Sequence, residues 1–465
     1  MKLGNLFFSH FSGTESLGKF KVSVNQLSLS AWADINERQN RKQQSNTEHR
    51  KLKMRSKTTT HHNRKDSDTE VQILFTFAVH LIPLSGILQM AKNTNTLLVI
   101  ESVPLNFQIR GTEEEKQNNL SVIAIGGGLI NDTYLVNIFN ALPGREVESY
   151  VLQRINTDVF ANIDELMNNI DKVSRHLKLK NGSHGRYLSI IPTNGNRLFW
   201  KGNDKDVWRM FNYIPNSISY PLAPNGNFLY EAGRAYGKFQ YDLHDFSDSE
   251  LYETIPDFHN TKKRMDIFRK AVDDDKFDRA HAVNEEISYL ESQSNLASFI
   301  VDLMNQGMLP RRVTHNDAKL ENVLFDATTN KALCVVDYDT CMSGSMLFDF
   351  GDAIRSMANQ TAEDEIDISK VKFDINAYEH FTRGYLKEVA PVITDAEKKF
   401  LHFGAIVITF EQTLRFLTDF LLGDVYFKID CLEHNMIRAR NQLELLKGML
   451  AKKDEMFMNV KKFCN

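Results

Sequence analysis

The spacing of apolar residues changes along the chain, and the change predicts two kinds of structure. Up to about residue 214, apolar and polar residues alternate in short runs between turn-forming residues, which predicts strands at 121–125, 134–136, 149–155, 187–191, 197–200 and 208–214. Beyond it, apolar residues recur every three or four positions. That spacing predicts helices at 230–243, 274–306 (one or two), 346–357, 375–389, 396–422 and 434–450, with an earlier one at 163–177. The pattern is therefore typical of an α+β fold, with a small antiparallel sheet and a larger, mainly helical part.

Two short apolar runs interrupt the helical part of the chain. Residues 323–325 and 334–336 are separated by the polar turn 326–331. Turn-forming residues between two β-branched and aromatic runs indicate a hairpin. We therefore expect the outer ends of both strands to meet at one site.

Polar residues flank this predicted hairpin in a chemically useful spacing. His315, Asp317 and Asn322 follow the order H-x-D-x-x-x-x-N, which is the pattern of a kinase catalytic loop. Phosphoryl transfer depends mostly on positioning and charge neutralisation, and Asp317 is placed to accept the hydrogen bond of the attacking hydroxyl. An ordinary aspartate is a weak base, so Asp317 is expected to take the proton late. Asn322 and Asp337 are placed to hold a magnesium ion.

Two further residues extend this predicted site. Lys319 is expected to neutralise the γ-phosphate, and Asp339 is a second carboxylate at the end of the hairpin. The eight-residue pattern alone can arise by chance, but its combination with two strands, a turn and a terminal D-x-D favours a kinase-like site. A catalytically dead pseudokinase that acts as a binding module is the alternative from another class. Against it, all expected metal and base positions are present.

A run of glycines joins the first two predicted strands. Gly127, Gly128, Asn131 and Thr133 are candidates for binding nucleotide phosphates, because glycines let backbone amides approach phosphate oxygens closely. A plain hairpin that uses glycine for its turn geometry is the alternative. The run is not a Walker loop, since no Gly-Lys-Ser/Thr follows it.

The third predicted strand carries an arginine where kinases place a lysine. Arg154 would keep the positive charge and add a bidentate fork. Glu165 on the predicted helix 163–177 is its candidate partner, and a solvated Glu165 is the alternative. The last strand runs into Pro215, where a kinase hinge is expected, so Phe211 and Tyr213 are candidates for meeting adenine through backbone groups.

Candidates for acceptor binding, besides Asp317 itself, come mainly from the predicted helices. Asp352 and Arg355 either cap a helix favourably or face the acceptor. Glu411 and Arg415, one turn apart on an otherwise apolar helix, either pair with each other or face a pocket. Arg209, on the last strand, is the remaining candidate.

The segment 315–355, with its ALCVVDYDT and LFDFGDAIRS sequences, resembles the aminoglycoside phosphotransferase and choline kinase-like superfamily. Within that superfamily it is most similar to the N-acetylhexosamine 1-kinases, from about residue 106 onward. The resemblance implies a two-lobed protein kinase-like fold. It also implies transfer of the γ-phosphoryl group of ATP, with Mg²⁺, to a sugar hydroxyl, specifically the anomeric hydroxyl of an N-acetylhexosamine.

Other acceptors stay open within the same chemistry, namely an aminoglycoside, choline or another sugar. The acidic stretches 245–253 and 273–278 would suit a polycationic antibiotic. Arginines at the expected pocket, Arg209, Arg355 and Arg415, would oppose one. The sequence therefore favours a neutral amino sugar.

Composition places the chain among soluble globular proteins. The net charge of −4 gives no general attraction to nucleic acid or anionic membranes. The four cysteines have no C-x-x-C spacing, which argues against a zinc site or a disulfide framework and suits a reducing cytosol. We therefore expect a cytoplasmic protein, monomeric or weakly dimeric, whose partner is a small-molecule acceptor.

The first hundred residues differ from the rest of the chain. Residues 36–65 are almost purely polar, so the N-terminal extension is predicted to be disordered. The apolar run 71–88 is at the lower limit of a membrane span, and we interpret residues 1–89 as an extension not needed for function. A basic arm for nucleic acid, a targeting signal and a membrane anchor are the alternatives. The predicted domains are 1–100 (poorly ordered extension), 101–214 (nucleotide-binding small lobe) and 215–465 (catalytic and acceptor-binding helical lobe).

Overall fold

A six-stranded antiparallel sheet forms the first part of the fold. The computed structural model describes residues 100–111, 119–125, 130–139, 148–182, 185–202 and 206–464. The strand order is β1-β2-β3-β6-β4, and β5 also pairs with β6. The strands are β1 (Leu120–Ala124), β2 (Asp132–Ile138), β3 (Glu148–Arg154), β4 (Ile190–Ile191), β5 (Trp200–Lys201) and β6 (Val207–Asn212).

The two faces of this sheet have different surroundings, because neighbouring residues of a strand point to opposite faces. Leu152 and Met210 pair across β3 and β6 and belong to a core that also contains the preceding segment at Val103 and Phe107. On the opposite face, Thr133, Gln153 and Arg209 lie side by side across β2, β3 and β6. This second face is the one that meets the catalytic loop region.

Helices make up most of the chain after residue 225. They pack around a second, larger core. The helices are α1 (Ile163–Asn181), α2 (Gly226–Asp242), α3 (Thr261–Asp274), α4 (Asn284–Ser292), α5 (Leu296–Asn305), α6 (Met346–Met357), α7 (Ile375–Val389), α8 (Asp395–Leu421), α9 (His434–Ala451) and α10 (Lys453–Cys464). The two-lobed, kinase-like α+β fold predicted from the sequence is confirmed.

Small sheets connect the catalytic segments. The predicted hairpin is present, with β9 antiparallel to β10 and a register shift between Ala332 and Cys334. A second pair, β8 with β11, flanks the catalytic loop. The strands are β7 (Ser217–Ile218), β8 (Arg312–Thr314), β9 (Val323–Asp326), β10 (Ala332–Val335) and β11 (Met342–Gly344), with β7 paired to β9.

Two helices cross at unusually short range and position part of the site. A Cβ added to Gly351 of α6 would lie 2.3 Å from the carbonyl oxygen of Gly404 of α8. A Cβ on Gly404 would lie 2.2 Å from the carbonyl oxygen of Leu347. Only glycine fits at either position, so the spacing of α6 and α8 is fixed by these two residues.

Two helices are absent from the predictions. α3 carries few apolar residues, with Met265, Phe268 and Ala271 buried on one side, and its charged surface hides the periodicity. α10 follows α9 after a single residue, beyond residue 450, where the last predicted helix ended. The apolar run 71–88 and the predicted disordered extension lie outside the described residues, and the predicted domain boundaries stay predictions. No helix among the described residues is long and apolar enough to cross a membrane.

Candidate active site

A buried carboxylate holds the backbone of the catalytic loop. Asp349, on α6, accepts hydrogen bonds from the amides of His315 (2.9 Å) and Asn316 (2.7 Å) and from the side chain of Gln240 (2.7 Å). Burial raises the pKa of Asp349, although His315 and these donors work against the shift. Asn316 adopts a left-handed backbone, with φ of 63°. The loop is therefore held in place by Asp349 of α6, which is itself bonded to Gln240 of α2.

The predicted catalytic residues meet at short distances. The carboxylate of Asp317 lies 3.0 Å from Nζ of Lys319 and accepts a 3.2 Å hydrogen bond from Nδ2 of Asn322. Burial works to raise the pKa of Asp317, but the charges of Lys319 and His315 and these hydrogen bonds outweigh it and lower the pKa. The pKa of Lys319 is raised, because Asp317 and Asp337 outweigh the effect of its burial. Asp317 is therefore an ionised acceptor beside a protonated lysine.

Asp337, just after the end of β10, lies near two other carboxylates, those of Asp339 and Asp317. Its backbone is left-handed, with φ of 69°, a conformation that costs free energy for a residue with a side chain. Burial and the charges of Asp339 and Asp317 raise the pKa of Asp337 to about 6. The amide of the preceding Val336 donates to the carbonyl of Asn322 at 2.9 Å, which keeps the two predicted metal ligands together.

These side chains suit a magnesium ion that shares its ligands with a nucleotide. Within the described residues there is no group of three or more His, Cys, Asp or Glu side chains that could hold a metal ion. Mg²⁺ is usually bound by one or two carboxylates while phosphates and waters complete its coordination. The carboxylate of Asp337 and the amide oxygen of Asn322 are donors of that hard type. Excess negative charge around Asp337 would favour such a cation.

Asp339 is turned towards the sheet. Its carboxylate pairs with Arg209 through Nη1 (2.6 Å) and Nη2 (2.9 Å), and both side chains are buried. It also accepts a 2.8 Å hydrogen bond from Asn131, whose own oxygen accepts from the amide of Asn156. The structure therefore brings two sequence-predicted residues, Asn131 and Arg209, to Asp339.

Arg154 lies on the other face of the sheet. It pairs with Asp206 at 3.0 Å and is 42% exposed, and no ion pair joins it to Glu165 in the part of the chain that the structure describes. The neighbouring Gln153 lies on the face of the sheet that meets the catalytic loop region, which we call the cleft face. There it accepts a 3.0 Å hydrogen bond from Nε of Arg209 and donates to Thr133 at 3.1 Å. The expected pair of Arg154 and Glu165 is therefore not formed in this structure.

The cleft face of the sheet also carries an apolar row. Ile123, Leu135, Val151 and Phe211 lie side by side across four strands, and Ile123 is 52% exposed. A flat apolar surface of this kind suits an adenine ring. Tyr213 follows β6 in the predicted hinge. The predicted phosphate-binding glycines, Gly127 and Gly128, lie outside the described residues.

Asp352 and Arg355 bind each other. Nε of Arg355 lies 2.9 Å from Asp352, and Nη1 lies 2.5 Å from Glu363. Burial works to lower the pKa of Arg355, but the two carboxylates outweigh it and raise that pKa. The pair therefore ties α6 to the segment after it, and its role in acceptor binding stays a prediction.

Glu411 connects α8 to the catalytic loop. Its carboxylate lies 2.8 Å from Nδ1 of His259 and accepts a 2.5 Å hydrogen bond from Thr261. Nε2 of His259 lies 3.1 Å from the carbonyl oxygen of Asn316. Burial works to raise the pKa of Glu411, but His259, Thr261 and Arg415 outweigh it and lower the pKa. Glu411 thus acts on the residue that precedes Asp317 through one imidazole.

One turn further along α8, Arg415 lines a cavity of about 230 Å³. Its guanidinium lies 5.4 Å from the ring centres of both Phe258 and Phe427, and it donates to Gln412 rather than to Glu411. Arg264 also lines the cavity, and its buried Nε has no hydrogen-bond partner among the described residues. Burial and the charge of Arg415 lower the pKa of Arg264. The cavity is therefore lined mainly by apolar and aromatic side chains, together with two arginines and one carboxylate, that of Asp419.

Several of these residues were absent from the predicted site. Asp349 stood in the sequence beside the predicted Asp352, but its partners, 33 and 34 residues earlier in the chain, could not be predicted. His259 and Arg264 lie in a polar stretch without a recognisable pattern. Their roles depend on contacts with Asn316 and Arg415, which only the folded chain creates.

This geometry agrees with the comparison of the chain with known families. The model of the phosphotransferase enzyme family matches residues 121–385, more than half of the chain. The chain belongs to this family. The predicted superfamily is thus confirmed, and this family member is a small-molecule phosphotransferase with an alcohol group as acceptor.

Solved structures that resemble this family member have low sequence identity to it. They include a choline kinase from Cryptosporidium parvum (15% identity, 79% of this chain and 99% of that chain, TM-score 0.48). An ethanolamine kinase from Plasmodium vivax is also similar (14%, 72% and 84%, TM-score 0.45). So is an aminoglycoside phosphotransferase from Alicyclobacillus acidocaldarius (9%, 78% and 95%, TM-score 0.47).

Proposed function

We propose that this protein transfers the γ-phosphoryl group of ATP to the anomeric hydroxyl of an N-acetylhexosamine. The arrangement of Asp317, Lys319 and Asn322 carries the proposal, because an ionised carboxylate and a cation stand within 3.2 Å of one another at the end of the hairpin. Such a pair can orient a hydroxyl and neutralise charge on a phosphate. The proposed family of acceptors rests on the sequence resemblance to N-acetylhexosamine 1-kinases.

Each residue has a defined task in this proposal. Asp317 accepts the hydrogen bond of the acceptor hydroxyl and takes its proton late in the transfer, because its lowered pKa makes it a weak base. Lys319 neutralises charge on the transferred group. Asn322 and Asp337 would hold Mg²⁺, which when bound screens the phosphate oxygens. The apolar row that begins at Ile123 would cover the adenine.

The charged cavity beside α8 supports a neutral acceptor. Two arginines, Arg264 and Arg415, and one carboxylate, Asp419, line it, and the oxygens of Asp419 already accept from the amides of residues 425–427 and from Asn435. The Nε donor of Arg264 is unsatisfied among the described residues. A polycationic aminoglycoside, or choline, would meet like charge, whereas a sugar offers hydroxyl and amide oxygens as acceptors. Aromatic side chains such as Phe427 suit the apolar face of a pyranose ring.

A coupled ATP-consumption assay tests this proposal. We expect turnover with N-acetylglucosamine or N-acetylgalactosamine, and little with kanamycin or choline. The product should lose its reducing end and release its phosphate in mild acid. Faster turnover with kanamycin or choline than with both sugars would contradict the acceptor while leaving the phosphotransferase assignment intact.

The surroundings of the protein form the last part of the proposal. We infer a cytoplasmic enzyme that requires no nucleic acid and acts as a monomer or weak dimer. All four cysteines are free thiols, which suits a reducing compartment. Fractionation of cells, with the enzyme followed by its sugar kinase activity, would test the location.

A further inference from the structure

A charged pair joins the sheet to the loop that carries the predicted metal ligand. The side chain of Arg209 is 1% exposed, and its three nitrogens contact Gln153 and both oxygens of Asp339. Its Nη1 and the facing Oδ1 of Asp339 have no other partner among the described residues. Buried ion pairs contribute little net stability and are often better explained by the geometry they enforce.

Asp339 joins the loop of the predicted metal ligand Asp337 to the sheet. Asp339 lies two residues after Asp337, in the helical turn Tyr338–Thr340. Its carboxylate contacts Arg209 of β6 through both oxygens, and it accepts a further hydrogen bond from Asn131, immediately before β2. A single carboxylate therefore binds the metal loop to two strands of the nucleotide-side sheet.

Among the described residues of the sheet, Arg154 does not supply a second cation at that place. At the end of β3, Arg154 points to the opposite face and pairs with Asp206, while Gln153 points to the cleft and binds Arg209. Glu165 makes no ion pair with Arg154 in the described part of the chain. A strand-to-helix ion pair cannot therefore couple the sheet to the catalytic loop through Arg154.

We propose that Arg209 is a positioning residue which, through Asp339, fixes Asp337 relative to the sheet that binds the nucleotide. The proposal rests on the function proposed above and reassigns Arg209 from the acceptor to the metal loop. Arg209 then touches neither acceptor nor metal. Its loss releases the segment 337–341 and separates the metal ligand from the phosphates.

A purely structural role predicts a different result, and the chain offers a matched control. Arg312 and Glu397 form another buried bidentate pair, with contacts of 2.6 and 2.9 Å and exposures of 12% and 0%. Both partners lie in the helical part, on β8 and at the start of α8. Arg312→Met should lower the melting temperature without changing how the protein binds a nucleotide.

The experiment compares Arg209→Met, Arg209→Lys and Asp339→Asn with Arg312→Met in the full chain. Calorimetry with magnesium and a non-hydrolysable ATP analogue should show at least about tenfold weaker binding in Arg209→Met and Asp339→Asn. The double variant should be no worse than the single ones, because both remove the same pair. Arg209→Lys keeps the charge but loses the fork, so an intermediate affinity is expected. Should Arg209→Met not fold, the Lys and Asn variants give the same comparison.

Hydrogen exchange of the unliganded proteins separates this proposal from the proposed function. Segment 337–341, which lies outside the β8–β11 pair that contains Arg312, should exchange faster in Arg209→Met than in the wild type, and Arg312→Met should leave it unchanged. Unchanged exchange and analogue affinity in Arg209→Met, with only a lower melting temperature, would overturn the positioning role. If the protein phosphorylates a sugar, Arg209→Met should raise KM for ATP more than it lowers kcat. A wild type that binds the analogue but phosphorylates no sugar would contradict the acceptor alone.

Discussion

The catalytic hairpin and the cavity beside α8 are built in different ways. In the hairpin, residues within 25 positions of one another in the chain, from His315 to Asp339, supply the carboxylates, the cation and the amide. The cavity is lined by α3, α8 and the segment that follows α8, so Arg264 and Phe427 meet only after folding. In the function proposed above, the hairpin region would determine the reaction and the cavity would determine what is phosphorylated.

The two regions also differ in how their polar groups are satisfied. The amides of the catalytic loop are bonded to Asp349, and Asp317 is bonded to Lys319 and Asn322. In the cavity, a buried nitrogen of Arg264 has no partner among the described residues. A buried donor without a partner costs free energy, which a ligand with a suitable oxygen would recover. The polar groups of the catalytic loop are thus satisfied within the protein, whereas the cavity offers a free donor to the acceptor proposed above.

The largest expected effect is in the hairpin, from Asp317→Asn. The amide cannot take the proton of the attacking hydroxyl, so kcat should fall about a thousandfold. Nucleotide affinity should change little, because Asp317 is proposed to contact the acceptor. Steady-state kinetics with N-acetylglucosamine and calorimetry with ATP check both expectations. A rate equal to that of the wild type would show that the proton goes elsewhere.

Asp337→Ala should separate metal binding from nucleotide binding. The substitution removes a carboxylate proposed to bridge the ion to the phosphates, so the extra thermal stabilisation that magnesium adds to ATP should disappear. A thermal-shift titration with ATP, with and without magnesium, measures this difference. Unchanged magnesium-ATP affinity in the variant would remove Asp337 from the metal site.

Arg415→Met tests the cavity, where the expected change is in sugar binding and not in nucleotide binding. KM for the sugar should rise roughly tenfold, because a charged hydrogen-bond donor to the acceptor is lost, while KM for ATP should stay the same. Arg269→Met, on an exposed pair of α3, is the matched control and should change neither value. An unchanged KM for the sugar would place the acceptor outside this cavity.

The last prediction concerns stability away from both regions and leaves the reaction itself unchanged. Burial lowers the pKa of His402 to about 4, with Lys453 adding to the shift. The unfolded chain binds the proton near pH 6.5, so stability is full above that pH and is lost as the pH falls towards 4. At pH 5 the loss should be about 2 kcal/mol relative to neutral pH. Urea unfolding at both pH values should show this loss in the wild type and a smaller one in His402→Leu.

The contrast between the regions explains what the sequence could predict. The hairpin was predictable because its chemistry follows a fixed spacing between Asp317 and Asn322 and a strand that ends at Asp337. The direction of Arg154 was not, since a shift of one residue in a strand exchanges its two faces. Gln153 and not Arg154 reaches the cleft for that reason.

Tertiary contacts decided the rest. β8 and β11 are only three residues long, and the amides of the two residues directly after β8 donate to Asp349, more than thirty positions later in the chain. Glu411 was expected either to pair with Arg415 or to face a pocket, and instead it binds His259, which lies 152 positions earlier in the chain. Distances of that kind in the chain leave no periodic signal.

The close crossing of α6 and α8 makes the position of the predicted catalytic loop depend on two glycines that carry no functional group. Gly351 lies two residues after Asp349 on α6, and any side chain at Gly351 or Gly404 must push the two helices apart. Asp349 would move with α6 and draw the amides of His315 and Asn316 with it. A methyl group at either glycine would therefore displace Asp317 through the backbone rather than through a change of charge.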